Sequence, residues 1–76
     1  MLNQTKETVR ILRMRKVTEK TGLGRSAIYD RMNPHSPRYD PTFPKSVSLG
    51  GRSVGFVEAE VDAWLTARIS QRRKTA

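Results

Sequence analysis

The spacing of apolar positions changes several times along this chain, and each change of period marks an element. Val9 to Leu12 reads as a short strand. In RMRKVTEKTG, Met14, Val17 and Thr21 recur at helical spacing, with Arg15, Lys16, Glu19 and Lys20 on the other sides. That pattern predicts a two-turn helix ending at Gly22, since glycine readily takes the left-handed conformation that stops a helix. Leu23 can then fold back as an apolar plug. A second short helix is expected from Arg25 to about Met32, with Gly24 at its N-cap. Ala27, Ile28 and Met32 fall on one face of it, while Arg25, Ser26 and Tyr29 face outward with Asp30 at the margin. Asn33 before Pro34 ends it, because proline disfavours helical geometry in the preceding residue.

Residues 33 to 44, NPHSPRYDPTFP, hold all four prolines and predict a long, stiff loop. KSVSLGGRSVGF then alternates: Val47 and Leu49 with Ser46 and Ser48, a Gly50-Gly51 turn, and Val54 with Phe56 beyond it. That is a hairpin, with Arg52 and Ser53 expected at its tip and Lys45 at its base. From Glu58 the period is helical again, with Val61, Trp64, Leu65 and Ile69 on one stripe as far as about Arg72. Glu58, Glu60 and Asp62 occupy its first turns and Arg68, Arg72, Arg73 and Lys74 its last, as the helix dipole favours. The order of elements predicts a mainly α domain with a small β-hairpin. Two short helices around a glycine turn, then a two-stranded wing and a final helix, form a winged helix-turn-helix over residues 9 to 72, flanked by tails 1 to 8 and 73 to 76. Its core is expected around Leu23, Ile28 and Trp64.

Length bounds what such a domain does. Seventy-six residues bury only about 60% of the surface that the unfolded chain exposes, too little for an enclosed catalytic cleft. With no cysteine there is neither a disulfide nor a thiolate metal site. No apolar run approaches the roughly 20 residues of a membrane span, and the polar opening MLNQTKETVR lacks a signal-peptide core, so the expected compartment is the cytoplasm. Charge adds a partner. Fifteen Lys and Arg against seven Asp and Glu give a net charge of +8 and favour a polyanion. From Arg10 to Arg52 the only acids are Glu19, Asp30 and Asp40, so the positive field belongs to the first two thirds of the chain. No arginine-faced helix with a broad apolar back is present for a membrane surface.

In a helix-turn-helix the second helix enters the major groove and its leading residues reach base edges. Arg25 and Ser26 hold that position; arginine suits guanine, and serine suits either a base or a phosphate. Tyr29, one turn later, offers a hydroxyl to phosphate, and Arg31 adds charge to the same helix. A solvated helix face would use the same residues; the glycine turn and the charge map favour DNA. Arg52, with Ser53 and Lys45, is placed to enter the minor groove or grip phosphates, although a charged turn also keeps a sheet edge soluble. Arg15, Lys16 and Lys20 are candidate backbone contacts from the first helix. His35, the single histidine, has no Cys, His or carboxylate pair beside it. No Ser-His-Asp set, phosphate loop or metal-ligand cluster can be assembled, so no enzyme activity, cofactor or metal is expected.

Three linked stretches carry a resemblance: ILRMRKVTEKTGLGRSAIYDRM, TFPKSVSLGGRSVGF and EAEVDAWL. In this order and spacing, from Arg10 to Ile69, the chain is similar to the AlpA-type phage and prophage regulators of the excisionase-like winged-helix group. The resemblance implies a small DNA-binding protein that either controls transcription of phage or prophage genes or acts as an excisionase that bends attachment-site DNA. Double-stranded DNA in the nucleoid would be the partner, with an integrase or RNA polymerase beside it. Carried onto this chain, it points to Arg25, Ser26 and Tyr29 in the recognition helix and Arg52 in the wing. Gly24 departs from the family's usual Ser or Thr, and the loop from Asn33 to Pro44 is longer than the minimal connection.

Overall fold

The computed structural model describes residues 9–75. The expected tail over residues 1 to 8 lies outside the described residues. The elements are β1 (Ile11–Leu12), α1 (Met14–Thr21), α2 (Arg25–Met32), β2 (Val47–Gly50), β3 (Ser53–Val57) and α3 (Glu58–Thr75), in the order that the apolar periods predict. Together they form a winged helix-turn-helix. α1 ends where Gly22 takes φ 77° and donates its N–H to the Thr18 carbonyl at 2.9 Å. Left-handed geometry at this residue is what a helix C-terminus needs and what glycine supplies without strain. The Thr21 hydroxyl bonds back to the Val17 carbonyl at 2.8 Å and accepts the Leu23 N–H at 3.1 Å, which fixes the turn into α2. α2 starts at Gly24, whose extended backbone caps the helix with no side-chain bond.

The sheet has the order β1-β3-β2, antiparallel throughout. Ile11 pairs with Val57 and Leu12 with Phe56, and Val47 pairs with Gly55 and Ser48 with Val54. Residues that pair directly share a face. Val47 therefore lies with Gly55, Val57 and Ile11 on one face, and Val54 with Phe56 and Leu12 on the other. The alternation on each strand is as expected, but the two strands' apolar residues do not share a face. The turn is also displaced by one residue. Gly50, at φ 107°, pairs with Ser53, so the tip is Gly51 and Arg52, and Ser53 is the first residue of β3. Leu49 is the extra residue of the shift between Ser48 and Gly50. Two consecutive glycines allow either register, and the bulge selects this one.

Val17, Ile28, Phe43, Phe56, Val61 and Trp64 are the buried core, with Leu12, Met14, Leu23, Met32 and Leu65 packed around it. Ile28 and Trp64 are thus core as expected, while Leu23 lies at its margin. Phe43 comes from the proline-rich loop. Its ring meets that of Trp64 edge-on at 4.9 Å and that of Phe56 at 6.3 Å, so the loop closes one side of the core. The loop is fastened at Asp40. That residue donates its backbone N–H to the Arg31 carbonyl at 2.9 Å, and its carboxylate accepts the Trp64 indole N–H at 3.1 Å and the Thr42 N–H at 2.9 Å. α3 continues to Thr75, beyond the end near Arg72 that its apolar stripe predicts.

Candidate nucleic-acid interface

α2 is held by Ile28, which is fully buried, and this orients the rest of the helix. Residues a turn apart share a face at 3.6 residues per turn. Arg25, Ser26 and Tyr29 accordingly lie together on the exposed side, with Tyr29 51% exposed. Arg31 does not join them. Six positions after Arg25 it comes round between Ala27 and Ile28, half-buried, and donates from its guanidinium to the Ala27 carbonyl at 3.1 Å. With its own carbonyl accepting from Asp40, it braces the loop to the end of the helix. On the wing, Arg52 is exposed at the tip and Ser53 is half-buried in the strand. Lys45 is exposed directly after buried Phe43 and Pro44, which pin the chain at the wing's base.

The ion pairs separate available cations from occupied ones. Arg15 and Lys16 both face Glu19, at 3.7 and 3.6 Å. Lys20 reaches Asp62 at 2.9 Å and Glu58 at 3.1 Å, and Arg10 reaches the other Glu58 oxygen at 3.3 Å. These contacts clip α1 and the residue before β1 to the first two turns of α3, and the hydrogen bonds from Lys20 to Asp62 and Glu58 raise its ammonium above the ordinary lysine value. Arg38 faces Asp30 at 3.7 Å, and Arg68 lies 5.6 Å from the centre of the Trp64 ring. Among the described residues, the cationic side chains left with no acid, carbonyl or ring are Arg13, Arg25, Lys45 and Arg52. Three of these are candidates from the sequence. The candidate backbone contacts Arg15, Lys16 and Lys20 each face an acid within the domain.

Arg13 was missed by sequence reasoning, yet a signal for it exists. Arg15 and Lys16 have Glu19 at i+4 and i+3, whereas Arg13 has Val17 and Lys16 at those positions and so no acid one turn away. Among the described residues no group of three His, Cys, Asp or Glu is assembled for a metal, and no helix is long and apolar enough to cross a membrane.

A family model described as the prophage CP4-57 regulatory protein (AlpA) matches residues 10–69, which span every element from β1 through most of α3. The chain belongs to the AlpA family. It is 57% identical to the DNA-binding transcriptional activator AlpA of Escherichia coli (strain K12) over 63 residues, covering 83% of this chain and 90% of that one. It is 38% identical to the uncharacterized protein ORF88 of Enterobacteria phage P4 over 65 residues, covering 86% of this chain and 67% of the other. No solved structure gives a match.

The stretches that carry the AlpA resemblance divide by role in this chain. Ile28 of Ile28-Tyr29 is in the core and Tyr29 is outside; Phe43 of Phe43-Pro44-Lys45 is in the core and Lys45 is outside. In Glu58-x-x-Val61-x-x-Trp64, Val61 and Trp64 are buried and Glu58 holds Lys20 and Arg10. The exposed partners of these motifs remain open to a ligand.

Proposed function

We propose that this chain is a sequence-specific duplex-DNA-binding regulator of phage or prophage transcription, with α2 in the major groove and the wing tip on the minor groove or the backbone. The observation that carries this reading is the exposed set Arg25, Ser26 and Tyr29 at the leading side of α2, with the Arg25 guanidinium unpaired and a second unpaired arginine, Arg52, at the wing tip. Arg25 is the base reader, suited to bidentate contact with guanine; Ser26 contacts base or phosphate, and Tyr29 offers its hydroxyl to phosphate. Lys45 at the base of the wing and Arg52 at its tip hold the backbone, with Ser53 oriented by β3. The E. coli relative's name, a DNA-binding transcriptional activator, supports the same reading.

The test is an operator titration. Arg25→Ala should weaken operator binding by about 1–3 kcal/mol and affect random duplex much less. An equal loss on both duplexes would remove Arg25 as a base reader. A circular-permutation gel addresses the excisionase role: strong bending with cooperative filling of repeated sites would replace the regulator reading, and unbent single-site binding upholds it.

A further inference from the structure

We propose that Arg13 is a phosphate contact, and that it is the point at which the first helix of the motif meets the DNA backbone. The inference rests on the DNA-binding reading above and extends it to a residue outside α2 and the wing. The sheet register gives the placement. Glu58 donates its N–H to the Arg10 carbonyl at 2.8 Å, Ile11 pairs with Val57 and Leu12 with Phe56, so β1 climbs β3 towards the wing tip. Arg13 remains extended, at φ −81° and ψ 166°, so the register of Ile11 with Val57 and Leu12 with Phe56, carried one residue further, sets it at the level of Gly55. That level is two residues from Ser53, or about 7 Å along the strand direction, towards the end of the sheet that carries Arg52.

The two arginines of β1's flanks thus have opposite fates. Arg10, at the end away from the tip, is neutralised by Glu58; Arg13, at the tip end, is exposed and faces no acid. Arg13 is also the N-cap residue of α1, holding the helix through its carbonyl, which accepts the Lys16 and Val17 N–H groups at 2.9 and 3.1 Å. That role uses only the backbone, so the guanidinium is free for a ligand. A first helix that crosses the DNA backbone brings this end against phosphates beside those gripped by the wing.

The experiment measures affinity for a random-sequence duplex of about 30 base pairs as a function of salt, because each phosphate contact contributes about 0.9 to the slope of log K against log salt. Arg13→Ala should flatten the slope by about 0.9 and Arg13→Lys should restore it, since an ammonium also neutralises a phosphate. Lys16→Ala removes the same charge from a side chain that faces Glu19 and should move the slope far less. If Arg13→Ala keeps the wild-type slope while Arg52→Ala flattens it, Arg13 is not a contact and the DNA reading stands. Equal flattening by Lys16→Ala would also overturn the assignment, as a long-range field would then explain both. If none of Arg13→Ala, Lys45→Ala and Arg52→Ala moves the slope, the DNA reading itself fails. Thermal melting of Arg13→Ala and Arg13→Lys separates loss of contact from loss of fold, and rescue of the slope by lysine is the result that a purely structural role would not give.

Discussion

Asp40 joins three segments through one side chain and one peptide group. Burial alone would raise its carboxyl, but the hydrogen bonds from Thr42 and Trp64, with the positive charge of Arg68, outweigh that and hold it below the ordinary value of 3.8. The folded state therefore favours the carboxylate more than the unfolded chain does. The sign follows: in the window below 3.8 the unfolded chain binds more protons, so this contribution is present above that value and is lost as the pH falls through the folded value. Asp40→Ala also leaves the Trp64 indole N–H without its partner, and at neutral pH it should cost about 1–3 kcal/mol. In a domain of this size that lowers the melting temperature by roughly 5 °C or more. The gap to wild type should narrow when both are unfolded in denaturant at progressively more acid pH. A gap independent of pH would mean that the charge of Asp40 contributes nothing. Gly24 makes a second residue-scale case. Its N-cap position has extended backbone and open space around a would-be Cβ, so Gly24→Ser fits and supplies the missing cap bond. It should stabilise by a few tenths of a kcal/mol, measurable as a small rise in the denaturant midpoint; a fall would show that α2 needs the glycine.

At the scale of elements, the helices were legible because their stop signals are local. Gly22 and Asn33-Pro34 end α1 and α2 whatever surrounds them, so the predicted bounds of α2 coincide with the observed ones. The hairpin was legible as a hairpin but not in register, because Gly50 and Gly51 both tolerate positive φ and only pairing with β3 decides between them. Strand alternation likewise predicted faces but not burial: Val47, Leu49 and Val54 are all exposed, since the wing projects from a core too small to cover it. Gly55 shows what the sheet requires where β1 crosses it. A Cβ there would overlap the γ2 methyl of Ile11 and come within 3.3 Å of the Leu12 carbonyl oxygen and of Leu49 Cδ1. Gly55→Ala should therefore destabilise by about 1–3 kcal/mol through overpacking. Combining it with Ile11→Ala should recover part of that loss in a double-mutant cycle followed by chemical denaturation, and strict additivity would place the strain elsewhere. Phe43 was not legible as core, because proline spacing imposes no period from which an inward face can be read.

Over the whole molecule, the count of fifteen Lys and Arg overstates the side chains free to meet a polyanion. The fold sorts these cations by the acids that it brings to them. Glu19, Glu58 and Asp62 take up the cations of α1 and the outer end of β1, and Asp30 takes up Arg38. What remains unpaired among the described residues is Arg13, Arg25, Lys45 and Arg52. Composition could place the positive field in the first two thirds of the chain, but it could not separate these side chains from Arg15, Lys16 or Lys20, because that distinction rests on contacts between α1 and α3. Two variants with the same net charge make the difference measurable. Replacing Arg13, Lys45 and Arg52 by alanine together should flatten the salt slope on random duplex by about 2.7, the full value for three phosphate contacts. Replacing Arg15, Lys16 and Arg38 removes as much charge from side chains that already face acids. Screening over about 10 Å at 0.1 M salt limits the effect of charges not in contact, so this second slope should stay close to wild type. Equal slopes for the two variants would mean that the domain is held on DNA by its overall field, and that the pairing within the fold does not select the contacts.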